Sequence, residues 1–232
     1  MINKISVIIP VYNEADTIEK LIDKVLEIKS YDMEIIVIDD YSTDGTRDIL
    51  EDNLISKISK FIKNEKNFGK GYSLRKGIEA ATGEIILIQD ADLEYDPNDY
   101  HKLINPIDKG VADVVYGSRF IGSEEKRVLM FWHTVGNKIL TFLSNMFTNL
   151  NLTDMENCYK VFRSEIIKKI NLNENRFGFE PEITAKIAKI KNIRIYEVGV
   201  KYYGRNYEEG KKITWKDGIS AIRCIFKYSF FD

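Results

Sequence analysis

Apolar positions along this chain follow two rhythms. Ile5–Ile9, Glu34–Ile38 and Glu84–Gln89 are short, nearly continuous runs rich in β-branched residues and followed by turn formers. Runs of that length and composition are strands buried on both faces. Between them the spacing becomes helical. Ile18, Leu21, Ile22, Val25 and Leu26 make one stripe behind Asp16, which predicts a helix capped at 16 and running to about Ile28. A short helix is expected from Thr46, another over Tyr72–Ala81, and one opened by Pro97. Lys60–Lys63 and Asp113–Tyr116 add two shorter strands. Repeated strand–helix units of this kind predict an α/β fold, a Rossmann-like, doubly wound, mostly parallel sheet with helices on both faces.

After Gly117 the rhythm changes. Val128–Leu150 reads as a long helix, Tyr159–Phe162 as a short strand, and Ser164 as the start of another helix. Pro181–Ile190 is helical, Arg194–Val200 is a strand, Lys201–Lys212 is a polar loop, and a last amphipathic helix begins near Trp215. No linker, repeat or low-complexity tract interrupts the pattern. One domain over 1–232 is expected, with a binding half at 1–117 and a second half at 118–232 that customises it.

Composition narrows the class. Of 232 residues, 44% are hydrophobic and 30% charged, a globular balance that excludes a disordered chain. Basic residues number 34 and acidic residues 36, a net charge of -2, so no basic field for nucleic acid is expected. Two cysteines, Cys158 and Cys224, are too few for a disulfide scaffold and fit a reducing cytoplasm. The first apolar run is about six residues with no cleavage pattern behind it, which reads as a buried strand rather than a signal peptide. No uninterrupted apolar stretch reaches the roughly 18 residues of a spanning helix.

Ligands of open α/β sheets bind beyond the carboxyl ends of the strands. Three strands here end in polar clusters: Pro10 to Glu14, Asp39-Asp40, and Asp90 with Asp92. Asp90 and Asp92, two residues apart on a strand end, suit one hard divalent cation, Mg²⁺ or Mn²⁺, with Glu94 as a third oxygen ligand. Such a cation would stabilise a diphosphate leaving group. Helix capping near Pro97 is the alternative for Asp92 and Asp96. Asp40 suits the N–H groups of a nucleobase or, alternatively, an Asx turn. Glu14 suits ribose hydroxyls or a helix's first turn. Lys70, within Gly69-Lys70-Gly71, suits phosphates, although the stretch lacks P-loop and dinucleotide-fingerprint spacing.

Pro10-Val11-Tyr12-Asn13-Glu14, Asp39-Asp40-Tyr41-Ser42-Thr43-Asp44-Gly45-Thr46, Asn67-Phe68-Gly69-Lys70-Gly71, Gln89-Asp90-Ala91-Asp92-Leu93-Glu94-Tyr95 and Gly117-Ser118-Arg119 occur in that order. In this order they resemble a family 2 glycosyltransferase of the GT-A fold, and within it the dolichyl- and polyprenyl-phosphate mannose or glucose synthases. The resemblance covers nearly the whole chain. It implies a nucleotide-sugar donor, a divalent metal and inversion at the anomeric carbon. It places Pro10, Tyr12 and Glu14 at the nucleoside, Asp40 at the base, and Asp90, Ala91 and Asp92 at the metal and diphosphate. Many relatives carry Gln where this chain has Glu94.

In the second half, Arg119 is expected to grip an acceptor phosphate. The stretch Thr153 to Arg163 resembles the family's aspartate and Ser-Gly-Phe-Arg-like core, with Asn157-Cys158-Tyr159-Lys160 in its place. It makes Asp154 a candidate acceptor-side carboxylate or base, and Lys160 and Arg163 candidate phosphate binders. Glu180, in Phe179-Glu180-Pro181-Glu182, is a second catalytic candidate. Tyr203-Gly204-Arg205 and Gly210-Lys211-Lys212 resemble a basic loop that closes over the donor, with Arg205 and Lys211 as its charges. His101 and His133 lack zinc-motif spacing and read as structural.

The expected reaction is transfer of a hexose from a GDP-mannose or UDP-glucose type donor to a polyprenyl phosphate. The rival expectation is a soluble glycan hydroxyl as acceptor, which would require Asp154 or Glu180 as base. Val128–Leu150 bears on that choice, because its single formal charge is Lys138 and its apolar cluster Val128–Trp132 follows Lys126-Arg127. That pattern predicts a helix whose first turns lie in the interface of an anionic membrane, making the protein peripheral at the cytoplasmic face.

Overall fold

The computed structural model describes residues 2–122, 125–128, 130–206, 208–210 and 215–231. The first unit is β1 (Lys4–Val11), α1 (Ile18–Glu27) and β2 (Asp32–Asp39). α2 (Thr46–Ile49), β3 (Lys60–Lys63), α3 (Lys70–Ala80) and β4 (Ile85–Ile88) follow. Then come α4 (Tyr100–Asp108), β5 (Val114–Ser118), α5 (Phe131–Thr148), β6 (Lys160–Arg163) and α6 (Ser164–Ile167). α7 (Phe179–Ala188), β7 (Ile195–Gly199) and α8 (Trp215–Phe230) complete the order. The capping residue of α1 is Thr17, not Asp16, because the Glu14 carbonyl accepts the N–H groups of Thr17 and Ile18 and starts the turn there.

Seven strands form one sheet in the order β3-β2-β1-β4-β6-β5-β7. β4 is central with β1 beside it, and the apolar residues of both are buried, which explains their continuous Val/Ile/Leu runs. Every neighbouring pair is parallel except those of β6, which runs antiparallel to both β4 and β5. The sheet is therefore mostly parallel, as the alternating pattern predicts, with one reversed strand supplied by the second half of the chain. The side chain of Gly77 is absent where Ile8 and Ile38 press against α3, so this helix packs close on the sheet and its first residue, Lys70, is held at the sheet's carboxyl edge.

Register fixes where the chemistry goes. Val11 pairs with Asp39, and Asp39 with Lys63, while Ile8 pairs with Ile88. The loops leaving β1, β2 and β4 thus emerge side by side. At the other end of the sheet, Glu34 is buried and accepts hydrogen bonds from Ser6, Thr82 and Gly83 and an ion pair from Lys4 at 3.2 Å. Burial works against its charge, but these donors outweigh it and hold its carboxyl down at about 2. A depressed carboxyl stabilises the fold above its ordinary value, and that contribution is lost as pH falls from about 4.5 to about 2. Acid unfolding followed by circular dichroism is expected to show this loss in the wild type, and Glu34→Gln to be less stable at neutral pH with a flatter dependence over that window.

Candidate active site

One cavity of about 810 Å³ opens at the carboxyl edge of the sheet. The first loop supplies Pro10, Tyr12 and Glu14, the second Asp40, and the third Asp90, Ala91, Asp92 and Glu94. Lys70 from the start of α3, Arg119 from the end of β5, and Glu180 from α7 complete its wall, with Arg205 across the opening. The structure thus brings together these twelve residues singled out from sequence, from both halves of the chain.

The first two loops are laced to each other. The Ser42 hydroxyl accepts the Asn13 N–H at 2.9 Å, and Asn13 Oδ1 accepts the Thr43 N–H at 2.8 Å. Asn13 sits at φ 51°, a left-handed conformation that asparagine tolerates. Asp40 is committed to its neighbour loop: it accepts from Asn64 Nδ2, from the Phe68 N–H at 3.0 Å and from the Gly69 N–H at 2.7 Å. It shapes the 67–71 loop from the cavity wall. Gly69 is required there, because its φ is +102° and an added Cβ would collide with the Asn175 carbonyl.

Below the third loop, Gln89 is fully buried and its Oε1 accepts hydroxyl hydrogen bonds from Tyr100 at 2.8 Å and Tyr159 at 2.7 Å. This network, which sequence reasoning did not single out, fixes the strand end from which Asp90 and Asp92 project. Leu93 adopts φ 60° between Asp92 and Glu94, a strained backbone of the kind that clusters at functional loops.

Negative charge is concentrated around Asp92. Burial first, then the charges of Asp90, Glu94 and Glu14, push its carboxyl up to about 7, with Arg205 pulling the other way. The Arg205 guanidinium meets Glu14 through two hydrogen bonds, at 3.0 and 3.1 Å, and Asp92 at 3.1 Å. Lys70 Nζ lies 2.9 Å from Asp90 and 3.2 Å from Glu180. Asp90 and Asp92 fit a divalent cation on this observation: their surplus charge is what a cation relieves, and a diphosphate supplies the remaining oxygens. Among the described residues no three such side chains converge as a ready-made cage. Glu94 departs from the expected third ligand, because its Oε2 accepts the Tyr202 hydroxyl at 2.7 Å and its Oε1 the Arg205 N–H at 2.7 Å. It anchors the 202–205 segment over the cavity.

Three expected substrate contacts are placed differently. Arg163 pairs with Ile85, at the opposite end of the sheet, where its Nη2 donates to the Ile107 carbonyl at 3.0 Å. The reversal of β6 puts it there, and it cannot reach the cavity. Lys160 is fully buried; its Nζ donates to the carbonyls of Met155 and Asn157, and burial pulls its pKa down. Asp154 is also fully buried. Arg119 clamps it with Nε and Nη2, both at 2.7 Å, and with its own N–H at 3.0 Å. Burial alone would raise the Asp154 carboxyl, but the Arg119 guanidinium holds it below its ordinary value, which makes it a poor base. Lys211 and Leu129 lie outside the described residues.

Further wall residues carried no sequence signal. Glu156, Arg176, Phe177, Trp215 and Asp217 line the cavity from the second half. Cys158 lines it too, and burial pushes its thiol up, leaving it unreactive. His133 is on the wall as well, despite its reading as a structural residue.

A family model described as glycosyl transferase family 2 matches residues 6–171. A dodecaprenyl-phosphate galacturonate synthase of Rhizobium johnstonii is 26% identical over 216 residues, covering 90% of this chain and 61% of the relative. A dolichol-phosphate mannosyltransferase of Pyrococcus furiosus is 28% identical over 216 residues, covering 90% and 60%. The chain therefore spans about three fifths of the length of these curated relatives. The glucosyl-3-phosphoglycerate synthase of Mycobacterium tuberculosis, solved with Mn²⁺, UDP and phosphoglyceric acid, superposes with a TM-score of 0.77 at 19% identity, over 99% of this chain and 80% of that one. The sheet order, the acidic strand ends and these matches agree: the chain has the GT-A fold and belongs to glycosyl transferase family 2.

Proposed function

We propose that this protein transfers a hexose from a nucleoside-diphosphate sugar, of the GDP-mannose or UDP-glucose type, to a polyprenyl phosphate with inversion. The observation that carries this reading is the make-up of the cavity: the Asp90-Ala91-Asp92 loop lines it together with the exposed Trp132 of α5 and Trp215 of α8, the two helices whose outer faces are apolar. Curated relatives named for polyprenyl-phosphate sugar transfer support the acceptor class.

In this reading Asp90 and Asp92 hold a divalent cation, Mg²⁺ or Mn²⁺, which neutralises the leaving diphosphate. Tyr12 and Pro10 border the nucleoside, and Lys70 offers an ammonium beside Asp90. An acceptor phosphate oxygen forms the new bond to the anomeric carbon as the bond from that carbon to the diphosphate oxygen breaks. The acceptor is already anionic near neutral pH, so no base is required. The clamped Asp154 agrees with that, and leaves Glu180 as the carboxylate a soluble hydroxyl acceptor would need as its base. Arg205, released from Glu14 and Asp92, covers the donor and excludes water. The experiment is incubation of UDP-[¹⁴C]glucose or GDP-[¹⁴C]mannose with undecaprenyl or dolichyl phosphate and Mn²⁺. Label extracted into butanol supports the reading, whereas label appearing only on soluble saccharides overturns it.

The rim supports a membrane-facing opening. α5 starts at Phe131, so Val128 and the extended Met130 lie before the helix rather than in the expected first turn. Its buried positions are the polar Thr141 and Ser144, while Phe131, Trp132, Ile139, Phe142 and Met146 face outward. Asn137 donates to Asp154 and Asn145 brackets Leu152, so these polar residues face the protein together with Leu140, Leu143 and Phe147, which pack on the core. α8 continues the apolar surface with Ile219, Ile222, Phe226 and Phe230. No helix among the described residues is long and apolar enough to cross a membrane, so contact would be interfacial. Phe131→Glu and Trp132→Glu are expected to remain folded by circular dichroism yet lose co-sedimentation with anionic liposomes by roughly tenfold or more. Unchanged sedimentation of both would remove the membrane role.

A further inference from the structure

The cavity wall holds a second acidic pair, set apart from the Asp90–Asp92 loop. Glu156, between β5 and β6, and Glu180, in the first turn of α7, both line it. Each carries one buried oxygen without a hydrogen-bond partner, Glu156 Oε1 and Glu180 Oε2. Glu180 is 4% exposed, and its other oxygen faces Lys70. Buried carboxyl oxygens in native proteins are almost always paired, so two orphans on one cavity wall point to a ligand that completes them.

The chemistry of that ligand follows from the charges around the pair. Lys70 touches both Asp90 and Glu180, so the pair begins where the diphosphate-facing loop ends. A sugar hangs from the diphosphate on the side away from the base and ribose, which the reading above puts beside Pro10 and Tyr12. We infer that Glu156 and Glu180 form the sugar end of the donor pocket and select an uncharged, hydroxyl-bearing hexose over a uronate. This rests on the donor reading given above.

Electrostatics agrees. Burial and the neighbouring Glu180 charge push the Glu156 carboxyl up to about 8, against Lys160 and Arg119, which pull it down, while Asp154 adds to the push. Near neutral pH Glu156 is therefore a hydrogen-bond donor and acceptor, matched to hydroxyls. The place resists a second negative charge from the protein itself, and a carboxylate on the sugar would meet the same resistance.

Isothermal titration with Mn²⁺ present separates the possibilities. The probes are UDP, UDP-glucose and UDP-glucuronate, together with GDP, GDP-mannose and GDP-mannuronate. Wild type is expected to bind the hexose donor of its preferred base roughly a hundredfold more tightly than the uronate. Glu156→Gln, which mimics the protonated acid, is expected to keep hexose binding, and Glu156→Leu to lose about tenfold of it while binding the bare nucleoside diphosphate as before. Glu180→Gln is expected to narrow the hexose-to-uronate ratio to about tenfold or less. Equal wild-type affinity for hexose and uronate donors, or variants that leave both the ratio and the hexose affinity unchanged, overturns the inference with the donor reading intact. If neither UDP nor GDP binds wild type, the donor reading is overturned, and the inference with it.

Discussion

Asp92→Ala is expected to abolish sugar transfer without weakening the fold. Removing one of the two carboxylates proposed to hold the cation would take away several kcal/mol of transition-state stabilisation. At about 1.4 kcal/mol per decade that is a loss of roughly a thousandfold or more. The stability side has the opposite sign. A carboxyl raised from its usual 3.8 to about 7 costs the folded state increasingly as pH climbs between those values, and fully above about 7, because the folded protein must release a proton that the unfolded chain lost at lower pH. The variant should therefore melt no earlier than wild type at pH 8, even though Arg205 loses one contact. Loss of turnover with an unchanged or raised melting temperature is the expected pair of results. Near-normal turnover, or full wild-type activity in excess EDTA, would dismiss the cation assignment.

Arg119→Ala and Asp154→Ala are expected to damage stability rather than substrate affinity first. Each leaves the other charge buried without its partner, a change that costs about 3–5 kcal/mol. Asp154 is fully buried and retains only Asn137 and Asn157 as side-chain donors once Arg119 is gone. Urea unfolding should show both single variants strongly destabilised. The double variant should be less destabilised than the sum, because it leaves no orphaned charge. Strict additivity would mean the two residues act separately. The stabilising contribution of the Asp154 charge belongs above the ordinary carboxylate pKa and fades as pH falls below it, since its folded value is depressed.

Much of this architecture is visible in the residue pattern, for local reasons. The runs Ile5–Ile9 and Glu84–Gln89 could only be strands covered on both sides, and each ends in the residues that line the cavity. What the pattern does not contain is partner choice. The Lys160–Arg163 strand has the same local character whichever way it runs, and its reversal alone carries Arg163 to the far end of the sheet. Burial of charge is equally invisible along the chain. Lys160, Asp154 and Arg119 read as reactive ends, and the fold spends them on carbonyls and on each other. Glu156 went unnoticed for the converse reason: it stands in a stretch of mixed polarity, and only the fold puts its unpaired oxygen beside that of Glu180 in the lining of one cavity. On α5 the helical period was legible, but not that its two buried positions would be Thr141 and Ser144 while Phe131, Trp132, Ile139, Phe142 and Met146 stay exposed.

The reversed strand also shapes how the chain is made. β4 takes β6 as its second neighbour, so the backbone edge of Ile85–Ile88 waits for Val161–Arg163 to appear. Ribosomal synthesis at about 5–20 residues per second leaves that edge without its native neighbour for several seconds. Four consecutive apolar β-formers on an open edge are a template for intermolecular pairing during that interval. Nascent-chain yield should then depend on occupancy by holding chaperones, and conditions that slow translation across residues 89–160 should favour inclusion bodies over soluble product.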